Sequence, residues 1–117
     1  MKVTIFFVIV TLLILPLHSE RIYFKNGDIL TGDIWRETKT NTIIVTEHGS
    51  YKVSASSILK IDYTGKKKFR LIKKSGEISS VYPVESNLEE ISFFYAPSET
   101  TPKKIKWTDV FALRIAK

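Results

Sequence analysis

The chain has 117 residues, with 18 lysines and arginines against 12 aspartates and glutamates, a net charge of +6, and no cysteine. That length allows one small domain or two very small ones, and the missing cysteine excludes disulfide staples, thiol catalysis and cysteine metal sites. The surplus of basic side chains suits encounter with anionic envelope polymers, lipid headgroups or acidic protein faces, which charge steers without dictating a fold.

Met1 and Lys2 precede a largely apolar run over residues 3–17, interrupted only by Thr4, Thr11 and Pro16. The run has the length of a secretion-signal core and falls short of the about 20 apolar residues a membrane span needs. Ser19 puts a small residue before a cut ahead of Glu20, and no cysteine stands there to carry a lipid anchor. Residues 1–19 are therefore expected to be a signal peptide, the alternative being an uncleaved tether to the inner membrane. Removing them takes away Lys2 alone among the charges and leaves 17 basic against 12 acidic side chains. An exported domain that does without disulfides points to the periplasm or cell envelope of a bacterium.

Beyond the signal, β-rich runs at residues 21–25, 29–37, 42–47, 51–53 and 58–63 are separated by turn residues. Each has strand length and none has helical spacing. Asn26-Gly27, His48-Gly49-Ser50 and Thr64-Gly65 supply the backbone freedom that tight turns require. In the first hairpin, a three-residue turn with Gly27 as the bulged position groups Ile22, Phe24, Leu30, Gly32 and Ile34 on one core face. A two-residue turn would instead put Phe24 beside Asp33, so the bulged register is preferred. Gly32 then serves to let a long strand bend.

Residues 66–117 read as a diverged second copy of residues 21–65. Lys25-Asn26-Gly27-Asp28-Ile29 answers to Lys74-Ser75-Gly76-Glu77-Ile78, and Ser56-Ser57-Ile58 to Thr108-Asp109-Val110. The copy is less regular: Val81 replaces Gly32, Pro83 falls where the second strand should continue, and a longer polar loop runs over residues 96–102. The expected architecture is all-β, two tandem, strongly bent antiparallel barrel-like repeats after the signal. Copies this short bury too little surface to stand alone. A shared interface is therefore expected, with Trp35, Trp107 and the run Phe93-Phe94-Tyr95 as its packing residues.

Phe24-Lys25-Asn26-Gly27 followed by Gly32-Asp33-Ile34 resembles the first hairpin of Sm-like domains. More broadly, residues 21–63 look like the small Sm-like or Src-homology-three-like barrels of exported bacterial proteins, down to the closing Ile58 and Ile61. The resemblance implies a bent barrel. It implies RNA binding only where the family's contact residues recur, and here they do not: Thr38 stands at the aspartate position, Asn41 is one residue displaced, and Ile61-Asp62-Tyr63 replaces the arginine-glycine pair. Nucleic acid is accordingly disfavoured as a partner.

After removal of the signal the sole histidine is His48, in the predicted turn before Gly49, so a small hydrolase would have to be built around it. Neither phosphate-cradling, zinc nor calcium spacing is present, and no enzyme activity, cofactor or metal is expected. Lys60, Lys66, Lys67, Lys68, Arg70, Lys73 and Lys74 crowd the junction of the copies with only Asp62 opposing them. They are candidates for holding an anionic polymer or lipid headgroups. Ile91, Phe93 and Tyr95 are candidates for an edge strand that accepts an extended partner segment. The leading expectation is a non-enzymatic envelope protein that binds another protein or an envelope surface.

Overall fold

The computed structural model describes residues 20–116. The expected signal lies outside the described residues. Ten strands follow in chain order: β1 (Glu20–Phe24), β2 (Ile29–Glu37), β3 (Asn41–Thr46), β4 (Gly49–Ser54), β5 (Ile58–Asp62), β6 (Phe69–Lys73), β7 (Ile78–Ser86), β8 (Glu90–Phe94), β9 (Lys103–Lys106) and β10 (Val110–Ile115). Short 3₁₀ turns at Ala55–Ser57 and Trp107–Asp109 precede β5 and β10. No helix among the described residues is long and apolar enough to cross a membrane.

Strand pairing departs from the expectation of one barrel per repeat. β1, β5, β7, β6, β10 and β2 are hydrogen-bonded in that order, and a β1–β2 pairing closes them into a single antiparallel barrel of six strands. Three of these strands come from each half of the chain. The hairpins reach outward from it, β3 and β4 from β2, and β8 and β9 from β7. The physical reason is burial: neither half has enough apolar side chains for a core of its own, and closing the sheet across both halves removes edges as well.

The two nine-residue strands make this possible by changing partners midway. β2 pairs β1 through residues 29–32 and then β3 through residues 33–37. Gly32 lies at the changeover, where a Cβ would come within 2.5 Å of the Val45 carbonyl oxygen. Gly32→Ala should therefore cost about 1–3 kcal/mol by overpacking against backbone that cannot yield, read as a fall in thermal midpoint. In β7 the matching bend needs no glycine. Pro83 is accommodated there because the pairing with β8 slips between Pro83 and Glu85, a bulge that relieves the ladder of the missing donor.

The first hairpin takes the bulged register: Ile22 opposes Leu30, Gly27 has φ of 95°, and the Phe24 amide donates to Asp28. Gly76 repeats that φ, and Lys73 donates to Glu77 in the same way. The core draws on both halves, Ile22, Ile34 and Ile61 meeting Phe69, Leu71, Val81 and Leu113 in one buried cluster. Tyr63 and Phe69 meet edge to face across the junction, with ring centroids 5.3 Å apart. Trp107 belongs to this core and donates its indole N–H to the Asn87 carbonyl at 2.9 Å. Trp35 does not, being 47% exposed on the outer wall, where the alternation of β2 places it with Asp33, away from the inward-facing Ile34.

Candidate functional site

The lysine-rich junction is dispersed by the fold. Lys60, on β5, lies 5.1 Å from the Tyr23 ring centroid and 3.5 Å from Glu85. Lys67 is half-buried and reaches Glu20 and Asp33, each at 3.4 Å. Lys73, at the end of β6, holds Glu77 at 3.1 Å. Lys66, Lys68 and Lys74 are exposed without an ion pair among the described residues, and Arg70 faces outward from β6 opposite Arg114. The length of β6 separates Lys66, Lys67 and Lys68 from Lys73 and Lys74, and three of the seven cations already have carboxylates.

The expected acceptor edge is also elsewhere. β8 pairs β7 on one side and β9 on the other, so Ile91 and Phe93 are buried and offer no open ladder. Tyr95 lies just past the strand, exposed, with its ring edge-on to Phe93 at 5.2 Å. Among the described residues the open edges are β9 and β4, each paired on one side only. β9 follows Pro102 and consists of Lys103, Lys104, Ile105 and Lys106, a composition that discourages pairing by charge repulsion. β4 is different: Gly49-Ser50-Tyr51-Lys52-Val53-Ser54 carries one charge and no proline. Tyr51 stands 44% exposed opposite Ile44, and with Leu30, Thr46 and His48 it borders a shallow groove running beside Gly32.

His48 sits at the tip of the β3–β4 turn, its amide donating to Thr46 Oγ1 and its ring 3.3 Å from Glu47. Among the described residues no group of histidine and carboxylate side chains is gathered to hold a metal ion. The ring is exposed, and no hydroxyl among the described residues is hydrogen-bonded to it.

Sequence reasoning missed a buried acidic network. Glu37, at the end of β2, is 5% exposed. Tyr63 donates its hydroxyl to Glu37 Oε1 at 2.6 Å, and Ser86, at the end of β7, donates to both carboxylate oxygens at 2.8 and 2.7 Å. Burial pushes the Glu37 carboxyl up to about 7, against the lowering pull of the two hydroxyls. Tyr63 is held well above its ordinary range by burial and by the carboxylate beside it. The trio contains a serine, a carboxylate and a phenol, yet Ser86 is 1% exposed, so no substrate reaches it. Its role is to tie β2 to the β5 end and to β7, across the two halves.

A second buried carboxylate, Glu20, accepts the Ile34 amide at 2.9 Å and the Lys67 ammonium. Burial raises its pKa, with the Ile34 bond and Lys67 opposing the rise. No family model, curated protein or solved structure matches the chain.

Proposed function

We propose that the chain is a non-enzymatic binding module of a bacterial envelope, made of two diverged copies of one five-strand unit, that takes up an extended segment of a partner protein along β4. Duplication is supported by the correspondence of pairings: β1–β5 with β6–β10, β1–β2 with β6–β7, and β5–β7 with β10–β2. The strongly bent β2 is in keeping with the resemblance to Sm-like and Src-homology-three-like barrels, and export through residues 1–19 sets the compartment. The observation that carries the binding reading is the contrast between the two open edges, one guarded by three lysines and a proline, the other by a single lysine.

In an antiparallel pair, alternate residues turn both backbone groups away from their neighbour. Among the described residues no strand pairs with those groups on β4, and an added strand would satisfy them while its side chains meet Tyr51 on one face. Ser50→Pro and Lys52→Pro, made separately, should each abolish capture of a crosslinked envelope protein by the chain, because proline removes a ladder donor and adds a clash. Lys104→Pro on the other edge should leave the same capture intact. Loss of capture in the β9 variant but not in either β4 variant would overturn the assignment, and circular dichroism of each variant confirms that the sheet is retained.

A further inference from the structure

Two rows of directly opposed residues cross the outer wall of the barrel at topologically matching places. One runs Arg21, Asp62, Glu85, Ser92 and Lys104 over β1, β5, β7, β8 and β9. The other runs Arg70, Arg114, Arg36, Ile43 and Lys52 over β6, β10, β2, β3 and β4. The first sets two cations, Arg21 and Lys104, against two carboxylates, Asp62 and Glu85, and so sums to zero, with Lys60 and Glu90 adding further pairs. The second sets three arginines side by side. Neighbouring strands are about 4.8 Å apart, so three like charges occupy a width of about 10 Å. Like charges directly opposite one another destabilise a sheet. The matching row shows that an aspartate and a glutamate fit at the positions of Arg114 and Arg36.

None of the three arginines forms an ion pair with a described residue. Arg36 is half-buried, and its Nε is enclosed without any hydrogen-bond partner. The three arginines border one hollow, whose remaining walls are Trp35, Ile43 and Ile115, with no acidic side chain among them. Lys39, Lys52 and Lys74 border the adjoining hollow, which shares Arg36 and Ile43. A concave, apolar-walled space with several rigid forks of donors and an unmet buried N–H suits a compact multivalent oxyanion, since arginine binds phosphate bidentately and gives up its hydration easily.

We infer that Arg36, Arg70 and Arg114 form a binding site for a phosphoryl group, presented either by a free phosphate compound or by a phospholipid headgroup. The three arginines stand on β2, β6 and β10, so the site does not depend on a strand being added to β4. Trp35 borders the hollow and Trp107 is buried in the core, so tryptophan fluorescence reports on occupancy. The full chain would be titrated with inorganic phosphate and, in a second arm, with vesicles of phosphatidylglycerol against vesicles of phosphatidylcholine.

Saturable change with phosphate identifies the free compound as sufficient. A response to phosphatidylglycerol vesicles alone identifies the headgroup as the source. Either response should weaken at least about tenfold in Arg36→Glu with Arg114→Asp, which writes the neutralised row's charges into the arginine row. The same double change turns the Arg70–Arg114 contact attractive and keeps the contact between positions 114 and 36 like-charged with its sign reversed, so the thermal midpoint should not fall. Should that protein not fold, Arg114→Gln provides the comparison. Neutralising Lys104, which lies in the first row on β9, to glutamine should alter the affinity by no more than about twofold, an exposed and already paired charge contributing little. The inference is overturned if neither titrant changes the fluorescence, or if the charge reversal leaves the response at parental strength.

Discussion

Replacing Glu37 with glutamine should make the protein more stable at pH 8 and flatten the dependence of its stability on pH between about 5 and 7. Burial raises the folded-state pKa of Glu37 from 4.5 to about 7. In the unfolded chain the group releases its proton near its ordinary value, whereas the folded chain holds it until about pH 7. Between those limits the native state binds more protons, so stability falls as pH rises. The destabilisation is absent below the lower limit and complete above the upper one. A shift of this size corresponds to about 3 kcal/mol, a large share of the 5–15 kcal/mol that holds a typical domain together.

Glutamine keeps the shape and has no charge to desolvate, and the Tyr63 and Ser86 hydroxyls can rotate to suit its amide. Glu37→Ala must behave oppositely, because it leaves two buried hydroxyls unpaired and a cavity beneath Trp107 and Thr42, with a cost of several kcal/mol at every pH. Thermal unfolding of the three proteins from pH 5 to 8 separates the cases. A residual slope is expected in the glutamine variant, since burial raises the Glu20 pKa in the same sense. An unchanged pH profile in Glu37→Gln would show that the carboxylate is not the source of the slope.

Glu37 also shows where a sequence stops being legible. With strict alternation along β2 it belongs with Asp33 and Trp35 on the outer wall. The bulge between Ile34 and Arg36 adds one residue to that wall, and from there on inward and outward exchange, sending Glu37 to the core and Arg36 outside. Nothing local announces the bulge; it exists because β2 has to leave β1 and meet β10. The turns were readable for the opposite reason. Gly27 and Gly76 answer to backbone angles set within four residues, and Gly32 to a bend that a regular strand forbids.

Edges and charge rows are long-range properties. That Ile91 and Phe93 lie inside the sheet, while β4 lies at its rim, depends on which strand comes next, as does the meeting of Arg36, Arg70 and Arg114 from three distant segments. The junction lysines were conspicuous as a run, but strand alternation and a turn scatter them. The arginines were inconspicuous singly, and pairing collects them.

Separating the halves should abolish folding of each as a monomer. Residues 20–65 alone would keep β1 to β5, but β5 would lose β7, and β2 would lose β10. Ile22 and Ile61, wholly buried in the intact barrel, would face water where Phe69, Leu71 and Leu113 had been, and Glu37 would lose Ser86. Residues 66–116 would lose the complementary partners. Neither piece retains enough buried apolar surface to offset the entropy of ordering about 45–50 residues, which is near the lower limit for a domain without disulfides or metal. Each piece alone should show no cooperative thermal transition at low concentration. Mixing the two should restore a sigmoidal transition, and the native-like far-ultraviolet spectrum with it, because the missing strand pairings are supplied in trans. Independent, concentration-insensitive melting of either piece would mean that it closes a barrel unaided, and the six-strand ring would then be a docking of two finished domains instead of the unit that folds.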